Sequence, residues 1–339
     1  MRHMNAALLG SFRGRHERQE PLQVHTLERS QLSAEWRAAW DALDQEAAHC
    51  PCPRVLAETG AGDALRVVVV IDDEGVLGVW PLKCVQSGGR GVARRAGGAV
   101  QVYDGPTLHR RADPGAVLAT LWAEVCGWWD IDVVELPAFV AGSPLLELGD
   151  VVAAANPAGS VCRLHIGGVN LTATDAWMDG MRLECLLDES ERWEAMVWAL
   201  DPALGVRFSP ALLDQLFSLT DAPGCLQVFA LMLDNERVAV QLGMRDGPRF
   251  VCLHTAEAPD LHDCGALGLL MIELAGWCRA HGMHTLDFGE PLPEEVPGLG
   301  MNRRQVLLSA TVQSRRGLGE AQAHRRALSR FGEQGRLAN

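Results

Sequence analysis

Tyrosine is nearly missing from this chain: Tyr103 is the single one, beside 8 phenylalanines and 10 tryptophans. A step that needs a phenol therefore has one candidate. No apolar run approaches the roughly 20 residues that cross a bilayer as a helix. The N-terminal Ala-Ala-Leu-Leu-Gly stretch is short and is followed by Arg13, Arg15, His16 and Arg18. Residues 1–20 are expected to form a mobile tail, with no secretory signal and no membrane span. The 10 cysteines contain no C-x-x-C, and their closest pair is Cys50 and Cys52 around Pro51. That pattern suits thiols in a reducing cytoplasm better than a disulfide framework. His49, Cys50 and Cys52 lack zinc-ligand spacing, so no metal is expected. Neither G-x-x-x-x-G-K-[ST] nor G-x-G-x-x-G after a strand occurs, which removes the two standard phosphate-loop signatures. Positive charge is also in deficit. The formal net charge of −13 argues against nucleic acid as a partner.

What remains is an ordinary globular balance, with 48% hydrophobic and 22% charged residues, so a packed core is expected. A length of 339 residues exceeds what one core usually supports, so two domains are expected.

The chain is organised around residues 250–290. Phe250 to His254 is an apolar strand, and a polar loop runs from Thr255 to Cys264. An amphipathic helix follows, with Leu267, Leu270, Met271, Leu274 and Cys278 on one face at steps of three and four. Gly282 closes it, and Thr285 to Phe288 is the next strand. Gly265, Ala266 and Gly268 leave the backbone of the first helical turn approachable. Those N–H groups lack helical partners and carry the positive end of the dipole, so they suit a phosphate.

The pattern occurs twice. In the first half a strand covers residues 22–27, and Ser33 caps a helix with Trp36, Ala39, Trp40 and Leu43 on one face. Residues 49–60 read as a proline-broken loop with at most one helical turn. Leu65 to Ile71 and Val76 to Leu82 form a hairpin around a turn opened by Asp72. Gly88 to Gly98 reads as a loop and Val100 to Leu108 as the third strand. Pro114 opens a helix burying Val117, Leu118, Leu121, Trp122 and Val125, and Ile131 to Leu136 is the closing strand. Trp128 and Trp129 are assigned to the core. In the second half Leu226 to Leu233 and Val238 to Met244 repeat the hairpin around a turn opened by Asp234. Between the copies a long irregular stretch precedes a strand at residues 161–166. A helix over 189–200 follows, with Trp193, Met196, Val197 and Leu200 as its face, and another lies over 210–219. The fold class is α/β with mixed sheets, since a hairpin followed by a crossover helix mixes antiparallel and parallel pairing.

A hairpin, a third strand, a helix shaped to hold pyrophosphate and a fourth strand, present twice, resemble a tandem GNAT acyltransferase. The similarity is to the acetyltransferases associated with bacterial cellulose and exopolysaccharide synthesis, whose fold the FemABX aminoacyl transferases share. It covers residues 22–315. It rests on Trp36 and Trp40, the VLGVWPL return strand and Val102-Tyr103-Asp104-Gly105-Pro106 in the first copy. In the second it rests on Asp263-Cys264-Gly265-Ala266-Leu267 and Leu286-Asp287-Phe288-Gly289. Two tandem GNAT-like domains are thus expected, over 21–165 and 166–318, with a basic tail over 319–339 carrying Arg325, Arg326, Arg330 and Arg336. The family usually places a tyrosine-lysine pair after the Asp-Phe strand. Here PLPEEVPGLGMNRR stands there, with Arg303 and Arg304 as the nearest cations. The family's basic helix before the second copy is replaced by the acidic DESERWEAMVWAL.

The resemblance implies direct attack of an amine or hydroxyl on the thioester of acetyl-CoA or another acyl-CoA. The pyrophosphate cradle is assigned to Cys264, Gly265, Ala266, Leu267 and Gly268. In the first copy Asp113 and Pro114 stand at the matching place. A carboxylate and a residue without N–H disfavour phosphate, so that copy is expected to shape the acceptor cleft. Candidate bases are His254, whose imidazole titrates near neutrality, then Asp287 and Glu290. Tyr103, Asp104 and Arg303 are candidates for acceptor binding. The acceptor is read as a sugar or small metabolite, with an acyl carrier protein as another possible donor and the oligomeric state open. Two rival readings are an aminoacyl transferase drawing on charged tRNA and a catalytically inactive acyl-CoA- or partner-binding module.

Overall fold

A computed structural model gives the fold. It describes residues 22–46, 54–97, 105–140, 143–166, 180–201, 213, 215–217, 219, 226–246, 248–288, 303–314 and 316–318. In chain order the first copy contains β1 (Gln23–Glu28), α1 (Ala34–Glu46), α2 (Arg54–Ala61), β2 (Leu65–Asp72), β3 (Gly75–Ser87), β4 (Arg90–Arg95), β5 (Thr107–Leu108), α3 (Pro114–Gly127) and β6 (Val133–Val140). Two connecting elements follow, α4 (Gly149–Ala154) and β7 (Asn156–His165). The second copy contains β8 (Met181–Leu186), α5 (Glu189–Ala199), β9 (Leu226–Leu233), β10 (Glu236–Asp246), β11 (Arg249–Glu257), α6 (Ala266–Ala280), β12 (Thr285–Asp287) and β13 (Arg303–Gln313).

The strands form one mixed sheet in the order β1-β2-β3-β4-β6-β13-β7-β12-β11-β10-β9-β8, with β5 paired to β3. The duplication is visible in the pairing. In each copy an antiparallel hairpin leads to a third strand, a helix crosses over, and the closing strand pairs parallel to the third, as β4 with β6 and β11 with β12. Each hairpin carries one extra residue just after its turn, Leu77 in β3 and Val238 in β10. The sixth strands are exchanged. β7 follows the first copy in sequence but pairs with β12 of the second, while β13 returns to pair with β6 of the first. β7 and β13 pair with each other, so the two copies share a single sheet.

Period-two alternation explains the layers. Val67 and Val69 of β2 belong to the core under α1 and α2, while Val68 and Val70 belong to the core under α3. Burial on both faces makes β2 apolar throughout. The core that includes α1 and α2 continues into the second copy through Ala195, Met196 and Ala199 of α5 and Val240 and Leu242 of β10. α6 packs on the other face through Leu270, Met271, Leu274 and Cys278. Gln215 ties the copies together, its buried amide donating to the Gly97 carbonyl at 2.6 Å.

Several expectations change. The third strand of the first copy is Arg90–Arg95, read from sequence as a loop; of the strand expected at Val100 to Leu108, residues 100–104 lie outside the described residues and Thr107–Leu108 pair with β3. Glycine suggested a turn, but Gly91 serves a close backbone approach. A Cβ there would lie 1.7 Å from the Asp130 carbonyl oxygen, and its N–H donates to Asp132 at 2.8 Å. Residues 54–61 form a full helix, held by Arg54 bonds to Asp41 and Glu58. The irregular stretch after Ala138 contains the end of β6, a 3-10 turn at Pro144–Glu147, α4 and a strand already under way at Asn156. α5 buries Ala195, Met196 and Ala199, whereas Trp193 and Val197 are half-exposed. Trp128 is buried beneath Arg66, but Trp129 is 82% exposed.

Candidate active site

β11 and β12 pair only at Arg249 with Thr285, Phe250 with Leu286 and Val251 with Asp287. β11 then runs on to Glu257, while β12 ends at Asp287. Among the described residues the parallel pairing therefore ends there, and β11 runs on alone toward the N-terminus of α6.

A bulge shapes the β11 side. Leu242 pairs with His254 and Gly243 with Cys252, so Leu253 is the extra residue. A bulge reverses which face the later side chains occupy. Phe250 and Cys252 pack toward α6, whereas Leu253 and Ala256 pack with the α5 core. His254 follows that reversal and its Nε2 lies 3.0 Å from the Ala199 carbonyl at the end of α5. A carbonyl only accepts, so Nε2 carries hydrogen and the neutral ring has its basic lone pair on Nδ1. Burial lowers the His254 pKa, against an opposing pull from the Ala199 hydrogen bond. The buried Gln241 secures the bulge. Its amide donates to the Leu242 and His254 carbonyls at 2.6 and 2.9 Å, and its oxygen accepts from the Thr255 hydroxyl at 2.6 Å. The strand continues three residues beyond the expected end at His254, which therefore lies within it.

Within the paired stretch of β11 and β12, Asp287 is 0% exposed and Arg249 8%. Arg249 Nη1 and Asp287 Oδ2 are 3.3 Å apart, an ion pair between diagonal neighbours on adjacent strands. Backbone register continues the row outward, from Asp287 to Arg163 of β7 and on to Arg303 of β13. Arg303 is therefore placed level with Asp287, two strands away. Tyr103, Asp104 and Glu290 lie outside the described residues.

At the other end Pro259–Cys264 is a 3-10 turn, and Gly265 adopts φ 76°, in the left-handed region, as the N-cap of α6. That conformation favours glycine. A Cβ at Gly265 would meet nothing within 4 Å, and the residue is exposed. Ala266, Leu267 and Gly268 form the first helical turn, as the cradle requires. One of its N–H groups is engaged: Leu267 donates to Glu257 Oε1 at 2.9 Å. Space is thus open at Gly265, Ala266 is buried, and a protein carboxylate takes one donor of the turn.

The first copy differs at both points. Asp113 caps α3 through the N–H groups of Gly115 and Ala116, with Pro114 at the first position. Gly105, on the chain leaving β4, packs against buried Leu145, on the turn leaving β6. Arg111, beside that cap, is bound bidentately by Asp72.

Sequence reasoning missed Gln241, Arg249, Thr255 and Glu257. The signal for Glu257 was indirect: Gly265 offers no capping side chain, which leaves the helix start to be satisfied from elsewhere.

This architecture is a mixed α/β fold built from two GNAT-like units. Residues 164–294 match the family model of the acetyltransferase (GNAT) domain. No curated protein matches the chain in sequence. Among solved structures, FemX superposes with TM-score 0.55 at 12% identity, over 86% of this chain and 95% of its own. The C-terminal domain of a putative lysylphosphatidylglycerol synthetase from Agrobacterium fabrum gives TM-score 0.52 at 12% identity, over 82% and 92%. L-PGS from Bacillus licheniformis gives 0.52 at 11%, over 80% and 90%. These likenesses establish the tandem fold. Among the described residues no helix is long and apolar enough to cross a membrane.

Proposed function

We propose that the protein is an acyltransferase that moves an acyl group, acetyl in the simplest case, from acyl-CoA to an amine or hydroxyl of a sugar or other small metabolite. The observation that carries this reading is the run of β11 beyond its pairing with β12 toward the open, glycine-capped start of α6, inside the segment that matches the GNAT domain. The second copy is the donor half. Backbone N–H groups at Cys264, Gly265, Ala266, Leu267 and Gly268 cradle the pyrophosphate, with the Leu267 donor given up by Glu257, and the pantetheine arm lies along the β11 edge. An acyl carrier protein presents the same arm and is the other donor of this class. The first copy, with its helix capped by Asp113, forms the acceptor wall together with Tyr103, Asp104 and Arg303. The free thiols of Cys84, Cys126, Cys185, Cys252 and Cys278 suit a cytoplasmic setting.

In the reaction the acceptor nitrogen or oxygen attacks the thioester carbonyl carbon. The C–S bond breaks, and the sulfur leaves as thiolate and takes up a proton. Nδ1 of His254 removes the acceptor's proton, and Asp287 with Arg249 ties β11 to β12 beneath it. Orientation of the two substrates supplies up to about 7–11 kcal/mol of the barrier, and the base about 10²–10⁴-fold. Calorimetry with acetyl-CoA tests the donor half. The wild type is expected to bind with micromolar affinity. Gly265→Trp, which fills the cradle, should abolish binding. Gly265→Asn, which tolerates the left-handed conformation, separates strain from occlusion by keeping the fold. No binding of any acyl-CoA by the wild type would overturn the reading.

A further inference from the structure

Glu257 is the last residue of β11, and its carboxylate reaches across ten residues to the N–H of Leu267. α6 has no capping side chain of its own, so this half-buried carboxylate serves as its cap. The group that stabilises the helix start thus occupies a donor that a pyrophosphate would use. In the first copy Asp113 does the same for α3, but from the adjacent position and with Pro114 behind it. Glu257 is held differently. Its side chain extends from a strand end on rotatable bonds, beside Gly265, where space is open. Its bond to Leu267 is a side-chain contact between two separate elements, not part of the helix's own turn.

We propose that Glu257 is a specificity-determining residue of the donor half. Its carboxylate caps α6 when no donor is bound, and an anionic pyrophosphate must displace it. Two anions cannot share the same N–H groups without strong repulsion, so Glu257 sets the affinity for phosphate-bearing donors. It leaves the affinity for the thioester arm alone untouched. This rests on the acyl-donor reading above and adds the residue that tunes it.

The test uses the full chain and three ligands: acetyl-CoA, S-acetylpantetheine, which has the thioester arm without phosphates, and inorganic pyrophosphate. Glu257→Gln keeps the shape and can still accept from the Leu267 N–H, but removes the charge. Calorimetry should show acetyl-CoA and pyrophosphate binding about tenfold more tightly to E257Q, as expected when one close like-charge contact is lost. S-acetylpantetheine should bind both proteins equally. Melting temperatures of the two proteins verify that E257Q is folded. Acetyl-CoA binding to folded E257Q that is unchanged or weaker removes the role of Glu257 and leaves the acyl-donor reading standing. If neither thioester binds either protein, both ideas fail together. Tighter binding of S-acetylpantetheine to the same degree as acetyl-CoA would show a general opening of the site and would overturn the charge argument.

Discussion

Thr255 donates its hydroxyl hydrogen to Gln241 Oε1 at 2.6 Å across the β10–β11 ladder, directly beside the bulge at Leu253. Through this contact Gln241 faces the strand in an orientation that lets its amide satisfy the His254 and Leu242 carbonyls. Gln241→Leu would leave both carbonyls buried without that donor, at a cost of about 1–3 kcal/mol each in an unrelieved site. Urea denaturation should show a loss in that range. Because the bulge also sets the facing of His254, activity should fall more than stability alone explains when assayed well below the denaturation midpoint. A variant with wild-type stability would show that the bulge does not depend on Gln241.

The buried pair of Arg249 and Asp287 separates two roles for Asp287. Asp287→Asn and Arg249→Met each break a buried ion pair, so each should destabilise by about 3–5 kcal/mol. Replacing both with apolar residues of similar volume should recover most of that loss. If acyl transfer returns with folding in the double variant, Asp287 is an orienting residue. If the refolded double variant binds acetyl-CoA but does not turn it over, Asp287 acts on the substrate directly.

The exchanged strands make the two copies interdependent. A chain cut between residues 170 and 171 yields a first half that keeps β7 but lacks its partner β13, and a second half with the reverse defect. Each half exposes a sheet edge that the other covers, and exposed edges associate. Each half alone should be digested rapidly by protease, and a mixture refolded together should regain resistance. A first half that is resistant by itself would show that the exchange is not needed for folding.

The hairpins and the two crossover helices were legible because their signals are local. β2 and β9 are apolar runs bounded by turns, and α3 and α6 show helical spacing that matches their buried faces. Four features were not legible, each for a nonlocal reason. Residues 90–95 become a strand because β3 and β6 flank them, which outweighs their glycine. The exchange of β7 and β13 depends on partners far apart in sequence. The bulge at Leu253 reverses facing partway along β11, so strict alternation from Phe250 places His254 on the wrong side. The cap from Glu257 was hidden for the same reason, since a strand end and a helix start meet only in the fold.

His254 offers the sharpest kinetic test. Burial lowers its pKa below the ordinary imidazole value, so the basic form prevails at neutral pH and persists into mildly acidic solution. The rate of acyl transfer should therefore fall only as pH drops below the usual imidazole range. His254→Gln should lose about 10²–10⁴-fold in kcat and lose that acid limb, with the acetyl-CoA Kd unchanged. Stability has the same sign. A histidine whose folded pKa lies below its unfolded value contributes stability above the unfolded pKa, and that stability is lost as pH falls through the folded one. The wild type should thus lose stability on acidification relative to His254→Gln between the ordinary imidazole pKa and the lowered folded one, just above the range where its rate declines. A rate profile that keeps its acid limb in His254→Gln would assign the base to another group.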